Sequence, residues 1–79
     1  MTEVATDQVI DARGMACPGP LMSLIGVIRQ SQVGTVVEVW SSDQGSATDI
    51  PAWVAKARHD LIEVVEAAGY TRFRVRKAR

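Results

Sequence analysis

This 79-residue chain has one cysteine, one histidine, three prolines and four aromatic residues, and no excess of either charge. One cysteine excludes an intramolecular disulfide. One cysteine with one histidine also excludes the usual four-ligand zinc site of thiolates and imidazoles, so no metal is expected. Without a Cys-x-x-Cys partner, Cys17 cannot serve a thioredoxin-type dithiol chemistry. Nine Lys and Arg balance nine Asp and Glu. That balance argues against a protein held to nucleic acid by phosphate contacts. Trp40, Trp53, Tyr70 and Phe73 are too scattered for a base-stacking platform. No apolar run approaches the roughly 20 residues of a membrane helix, so no membrane partner is expected. The opening Met1–Gln8 has neither a basic n-region nor an apolar h-region and predicts no secretory signal. With no disulfide framework, a cytoplasmic location is the expectation.

What is present suits one small globular domain over residues 1–79, with residues 1–6 as a flexible polar tail. Hydrophobic residues make up 47% of the chain, too many for a disordered one. Residues 8–12 are β-branched and predict a strand running into Arg13-Gly14. Pro18 and Pro20 can open a helix but cannot sit inside one. After them Leu21, Leu24, Ile25 and Ile28 recur at helical spacing. Gly26 within that stripe predicts a close approach to a neighbour, and Gly34 predicts the stop. Residues 35–40 predict a second strand and residues 41–47 a polar loop. A second helix is expected from Thr48 or Asp49, with Pro51 in its first turn. Residues 61–68 allow two assignments: a continued helix capped by Gly69, or a strand turning at Gly69. Residues 71–77 alternate cleanly, with Phe73 and Val75 on one face and Arg72, Arg74 and Arg76 on the other.

Chemistry concentrates at Gly14-Met-Ala-Cys17-Pro-Gly-Pro20. A thiol just ahead of a proline-opened helix faces the free first-turn amides and the positive end of the helix dipole. Its pKa should be lowered, and a persulfide, whose outer sulfur is also anionic, would benefit likewise. Gly14, Pro18 and Pro20 stiffen the corner that carries it. Three readings stay open on these residues: a sulfur carrier, a peroxide-sensing thiol, or a buried structural cysteine.

The remaining candidates are plainer. Asp43 and Asp49 read as turn and capping residues that could contribute to a second loop at the site. His59 reads as a dipole partner near a helix end. Arg72, Arg74 and Arg76, with Lys77 and Arg79, form either a solvated strand face or a docking surface for an acidic partner.

Asp11-Ala-Arg-Gly-Met-Ala-Cys17-Pro-Gly-Pro-Leu21 resembles the strand–loop–helix signature of the TusA (SirA-like) sulfur carrier family. Ser42-Asp-Gln-Gly-Ser-Ala-Thr-Asp-Ile-Pro51 is similar to that family's second loop, and Phe73–Lys77 to its last strand. Three blocks in order cover about Val9 to Lys77. One departure is Gln44, where many members have proline after the aspartate. The resemblance implies an α/β two-layer sandwich of order β-α-β-α-β-β, with a four-stranded mixed sheet and two helices on one face. It resolves residues 61–66 as a strand after a break near His59. It also implies that Cys17 carries sulfane sulfur as a persulfide, with no cofactor. A rhodanese- or desulfurase-like donor would load it, and a DsrE-like or other relay protein would accept the sulfur. The Cys-Pro-Gly-Pro-Leu and Ser-Ser-Asp blocks lean towards dissimilatory sulfur oxidation over tRNA thiolation. A regulatory or binding module is the alternative from another class.

Overall fold

Val36–Ser41 is buried at five of its six residues and becomes an interior strand of the fold, here a computed structural model describing residues 6–16 and 18–79. The elements run β1 (Gln8–Asp11), α1 (Gly19–Gln30), β2 (Val36–Ser41), α2 (Gln44–Lys56), β3 (Asp60–Ala67) and β4 (Tyr70–Arg76). The sheet order is β1-β2-β4-β3. β1 pairs parallel to β2, which requires a crossover, and α1 supplies it. β4 pairs antiparallel to both β2 and β3. The expected two-layer sandwich with a mixed sheet is the fold observed.

Alternation decides which face is covered. Val37 and Val39 of β2 stand opposite Val75 and Phe73 of β4, and all four are buried beneath the helices. Leu24 and Ile28 of α1 and Ile50 and Val54 of α2 complete the core, with Ala12 at the end of β1. Each side chain so buried contributes about 1.5–3 kcal/mol, and together they hold a chain of this size. Glu38 and Trp40 lie on the opposite, uncovered face, across from Arg74 and Arg72.

Several boundaries differ from the sequence reading. α2 begins at Gln44, so most of the expected loop over residues 41–47 is helix and Pro51 lies inside it. The reason is Asp43, whose carboxylate accepts the Ser46 N–H at 3.0 Å and caps the helix four residues early. Pro51 then deprives the Ala47 carbonyl of its i+4 donor, a local cost that the cap and the burial of Ile50 and Val54 offset. Gly26 is exposed, and a Cβ there would meet nothing within 4 Å, so it marks no close approach. α1 stops at Gln30 with Ser31 as its C-cap, well before Gly34. The tail expected over residues 1–6 falls, except for Thr6, outside the described residues. Thr6 itself is anchored: its Oγ1 accepts from Arg74 Nη2 at 2.8 Å and donates to Glu38 at 3.3 Å.

The break near His59 is a left-handed cap. The Arg58 N–H donates to Ala55 O and the His59 N–H to Val54 O, closing α2 in a Schellman arrangement. Arg58 occupies the position usually given to glycine, at φ 64°. Gly69, at φ 82°, instead turns β3 into β4, where Ala67 pairs with Tyr70. Arg58→Gly should therefore raise stability, by about 1 kcal/mol, because a side chain in the left-handed region costs roughly that much. Urea unfolding of the two proteins measures it, and a lower midpoint for the variant would contradict the strain.

Candidate functional site

Parallel pairing of β1 and β2, each followed by a helix, brings the N-termini of α1 and α2 to one end of the sheet. The β3–β4 turn closes the same end. The loop bearing the Gly14–Pro20 motif starts there, directly after Asp11 and the buried Ala12. Gly14 takes φ 86°, which only glycine adopts without strain, and its N–H donates to Ser42 Oγ at 2.9 Å. That bond ties the loop to the segment leading into α2. The Met15 N–H donates to Ala12 O and the Gly19 N–H to Ala16 O, so the loop turns on its own backbone. Cys17 lies outside the described residues. Ala16 and Pro18 on either side of it are exposed.

Pro18 is the N-cap of α1, without a side-chain cap, and Pro20 is buried in the first turn. The expected set of free first-turn amides needs correction. Pro18 and Pro20 have no N–H, the Gly19 N–H serves Ala16 O, and the Met22 N–H serves Pro18 O. The aligned peptide dipoles of α1 also point their positive end at this corner. Met15 lies across Gly19, where a Cβ would sit 3.1 Å from its Cε.

Asp43 stands at the site end, but its carboxylate is committed to Ser46 as the cap of α2. Asp49 is within α2 rather than in the loop. A cleft of about 300 Å³ opens between the start of α2 and the β3–β4 turn, lined by Ser42, Asp43, Ala47, Glu66, Tyr70 and Thr71 among others. Its size is at the lower end for ligand pockets. Among the described residues no group of His, Cys, Asp and Glu could hold a metal, and no helix is long and apolar enough to cross a membrane.

The arginine face divides. Arg74 Nη1 donates to Glu63 at 3.0 Å and Arg74 Nε lies 3.4 Å from Glu38, and Arg76 lies 3.6 Å from Asp60. These pairs use carboxylates of the same sheet. Among the described residues Arg72 has one ion-pair contact, a long one of 3.6 Å to Glu38. Lys77 Nζ donates to Ser31 O and ties down the end of α1. His59 is at the far end of α2, where its Nδ1 accepts from the Ala78 N–H and its ring lies 5.5 Å from Trp53. Burial, then Lys77 and Arg79, lower its pKa.

The sequence reading passed over Arg13 as a functional residue. Its guanidinium makes a two-pronged pair with Asp11, Nε to Oδ1 and Nη2 to Oδ2, both at 2.8 Å. The same group lies 4.9 Å from the ring centroids of both Trp40 and Tyr70. The signal was the Asp11-x-Arg13 spacing, which sets both side chains on one face of the strand end. These bonds, and the Arg13 backbone N–H, hold the Asp11 carboxyl at about 2, against some opposing desolvation.

The profile of the sulfurtransferase TusA family matches residues 8–77. A candidate sulfur carrier protein of Archaeoglobus fulgidus is 56% identical over 69 residues, covering 87% of this chain and 94% of that one. The sulfur carrier protein TusA of Pseudomonas putida strain GB-1 is 34% identical over 77 residues, covering 98% of this chain and 96% of its own. In fold, the crystal structure of a SirA-like protein from Desulfitobacterium hafniense superposes with a TM-score of 0.80 at 19% identity, covering 91% of this chain and 99% of that one.

Two outcomes test this geometry. Asp43→Ala should cost about 1 kcal/mol, the usual loss for a side-chain N-cap, read from urea unfolding; an unchanged midpoint would mean the cap is idle. Asp11 should titrate at about 2 in carboxyl-carbon NMR, below the ordinary 3.8. Because its folded pKa is depressed, the pair's contribution is present above 3.8 and lost as pH falls through about 2. Arg13→Ala should return the midpoint to the ordinary value.

Proposed function

The chain belongs to the TusA family of sulfurtransferases, and on that premise we propose that it is a sulfur carrier that holds sulfane sulfur as a persulfide on Cys17. The observation that carries this reading is the family match spanning a chain whose one cysteine falls in the Gly14–Pro20 motif. Exposure of Ala16 and Pro18, and the tie from Gly14 to Ser42, support a presented and braced loop.

The chemistry needs one nucleophile and a good leaving group. Cys17 thiolate attacks the outer sulfur of a donor persulfide. The donor's S–S bond breaks, its thiolate leaves, and Cys17–S–S⁻ forms with no net oxidation. An acceptor thiolate then attacks the outer sulfur, and Cys17 departs as thiolate. A lowered thiol pKa aids both steps, since it raises the thiolate fraction in the first and improves the leaving group in the second. A donor and an acceptor protein, each bearing a reactive cysteine, are the partners, and the cytoplasm is the compartment. The Cys17-Pro-Gly-Pro-Leu21 and Ser41-Ser-Asp43 blocks lead us to assign the relay to dissimilatory sulfur oxidation rather than tRNA thiolation.

Wild-type protein incubated with polysulfide should gain about 32 Da per sulfur by intact mass, reversed by a thiol reductant, as expected for one added sulfane sulfur. Cys17→Ser should gain nothing while keeping its fold, because a hydroxyl is not ionised near neutral pH. Loading of the Ser variant would exclude the mechanism. Faster reaction with peroxide than with polysulfide would favour a sensing thiol instead.

A further inference from the structure

We propose that the end of the molecule opposite the cysteine loop docks an acidic protein segment, through Lys56, Arg58, Lys77 and Arg79. The biological partner rests on the carrier reading, while the surface is argued from its own geometry.

The neutral total conceals a separation of charge along the sheet. Strand and helix directions assign the charged residues to its two ends. Around the cysteine loop and the β3–β4 turn stand Asp11, Asp43 and Glu66, with Arg13 as their one counter-charge among the described residues. At the other end α1 and α2 terminate, β3 begins and β4 finishes. Arg29, Lys56, Arg58, Arg76, Lys77 and Arg79 gather there, against the carboxylates of Asp7 and Asp60. Asp60 is 3.6 Å from Arg76, and the Asp7 carboxylate accepts the Val36 N–H. Among the described residues Arg29, Lys56, Arg58 and Arg79 enter no ion pair. Lys77 Nζ bonds a neutral carbonyl, Ser31 O, at 2.7 Å and keeps its charge uncompensated. The C-terminal poles of the two helices, about half a negative charge each, and a carboxylate on Arg79 reduce this surplus without cancelling it.

Arg29 and Lys56 have an internal purpose, since bases in the last turn complement the helix poles. Arg58 has no such purpose. It stands exposed, one residue beyond the α2 cap, at φ 64° where glycine would be free of strain. A residue held in strain, with a side chain bonded to nothing in the described fold, points outward to function. The backbone bearing Lys77 and Arg79 is fixed rather than loose. The Lys77 N–H donates to Thr35 O and the Gly34 N–H to Lys77 O, while the Ala78 N–H donates to His59 Nδ1 at 3.1 Å. This strap carries the cations across the end of the sandwich, from the exit of α2 to the exit of α1. Burial first, then Lys77 and Arg79, lower the His59 pKa, and the second cause is the field of this patch acting within the protein.

Charge selects an anionic partner, and two features select a protein. Val33, beside the Gly34–Lys77 bond, is 65% exposed, the highest value among the large apolar residues described. An aliphatic side chain packs on another protein but finds nothing to pack on along a phosphate backbone. Among the described residues no aromatic ring stands open at this end for base stacking, since Trp53 is half-buried against His59. A long polyanion would also meet the acidic end, about 20 Å away along the strands. A short acidic segment would not. Docked at the basic end, a partner leaves the cysteine loop uncovered, so the carrier is held while its thiol stays open to the next protein. Surface charge gives the quick, salt-sensitive association that such holding and release require.

The test is an NMR titration of the folded protein with an octapeptide of six glutamates and two leucines. An eight-nucleotide oligouridylate and phosphatidylglycerol vesicles are titrated separately. The peptide should shift the Arg58 Nε–H and the backbone amides of Val33, Gly34 and Ala78, and added salt should reverse the shifts. R58G relieves the strained backbone and so keeps the fold, yet it should bind the peptide roughly threefold more weakly, as expected for one lost surface charge. K56E/R58E, with an otherwise unchanged amide spectrum, should bind it roughly tenfold more weakly or worse. Iodoacetamide should alkylate Cys17 at the same rate with the peptide bound as without it. None of these readouts involves persulfide chemistry, so failure of this inference and failure of the carrier reading are separately visible. Shifts centred on Gly14 and Ser42, undiminished affinity in either variant, slower alkylation with peptide bound, or tighter binding of the oligouridylate or the vesicles would each overturn the inference.

Discussion

The antiparallel pairing of β2 with β4 is the contact on which the rest of this molecule depends. It places Val37 and Val39 against Val75 and Phe73 on one face, and Glu38 and Trp40 against Arg74 and Arg72 on the other. Because side chains alternate strictly along a strand, one register sets both surfaces together. A slip of one residue would turn Glu38, Arg72 and Arg74 into the core and expose the valines and Phe73. The helices can dock only on the apolar face, so the second face stays open as a consequence.

That open face is polar in an ordered way. Glu38 lies near its centre, almost buried, and receives Trp40, Thr6 and the flanking arginines. A carboxylate this enclosed is tolerable only with such partners. The arrangement also draws Thr6 across the sheet. Only Glu38 is hidden in this way; Asp11, Glu63 and Asp60 stay exposed beside Arg13, Arg74 and Arg76.

The end of the sheet that carries the motif owes its position to topology. One parallel pair, β1 with β2, forces a crossover, and both helices then start from the same end. The dipoles of α1 and α2 converge there. Prolines that rigidify the start of α1 also delete amides from it, so stiffness and hydrogen-bonding capacity are traded against each other at this corner. Gly14, at positive φ, lets the loop reach Ser42 and join the two helix starts.

Local signals in the sequence were enough to identify β1, β2, α1 and β4, because β-branched runs, clean alternation and paired prolines each have one dominant structural meaning. The cysteine motif stood out for the same reason, as the thiol and the prolines are adjacent in the chain, but its residues left three readings open and only the family resemblance chose among them. Residues 61–66 were settled only by family resemblance, since the break before them is made by Arg58 in a left-handed conformation that no glycine announces. The start of α2 was misplaced because Asp43 and Thr48–Asp49 are all competent caps. Packing of Ile50 and Val54 against the sheet, with the Asp43–Ser46 bond, favoured the earlier one. The arginines were read as a uniform stripe, and only the pairing of strands distant in sequence shows which carboxylates meet which arginines. Arg13 comes to lie over Trp40 and Tyr70, residues 27 and 57 positions away, because β1 and β4 flank β2 in the sheet. Composition and periodicity determine elements and adjacent chemistry; the meeting of side chains from separate strands is decided by the sheet order, which is a property of the packed whole.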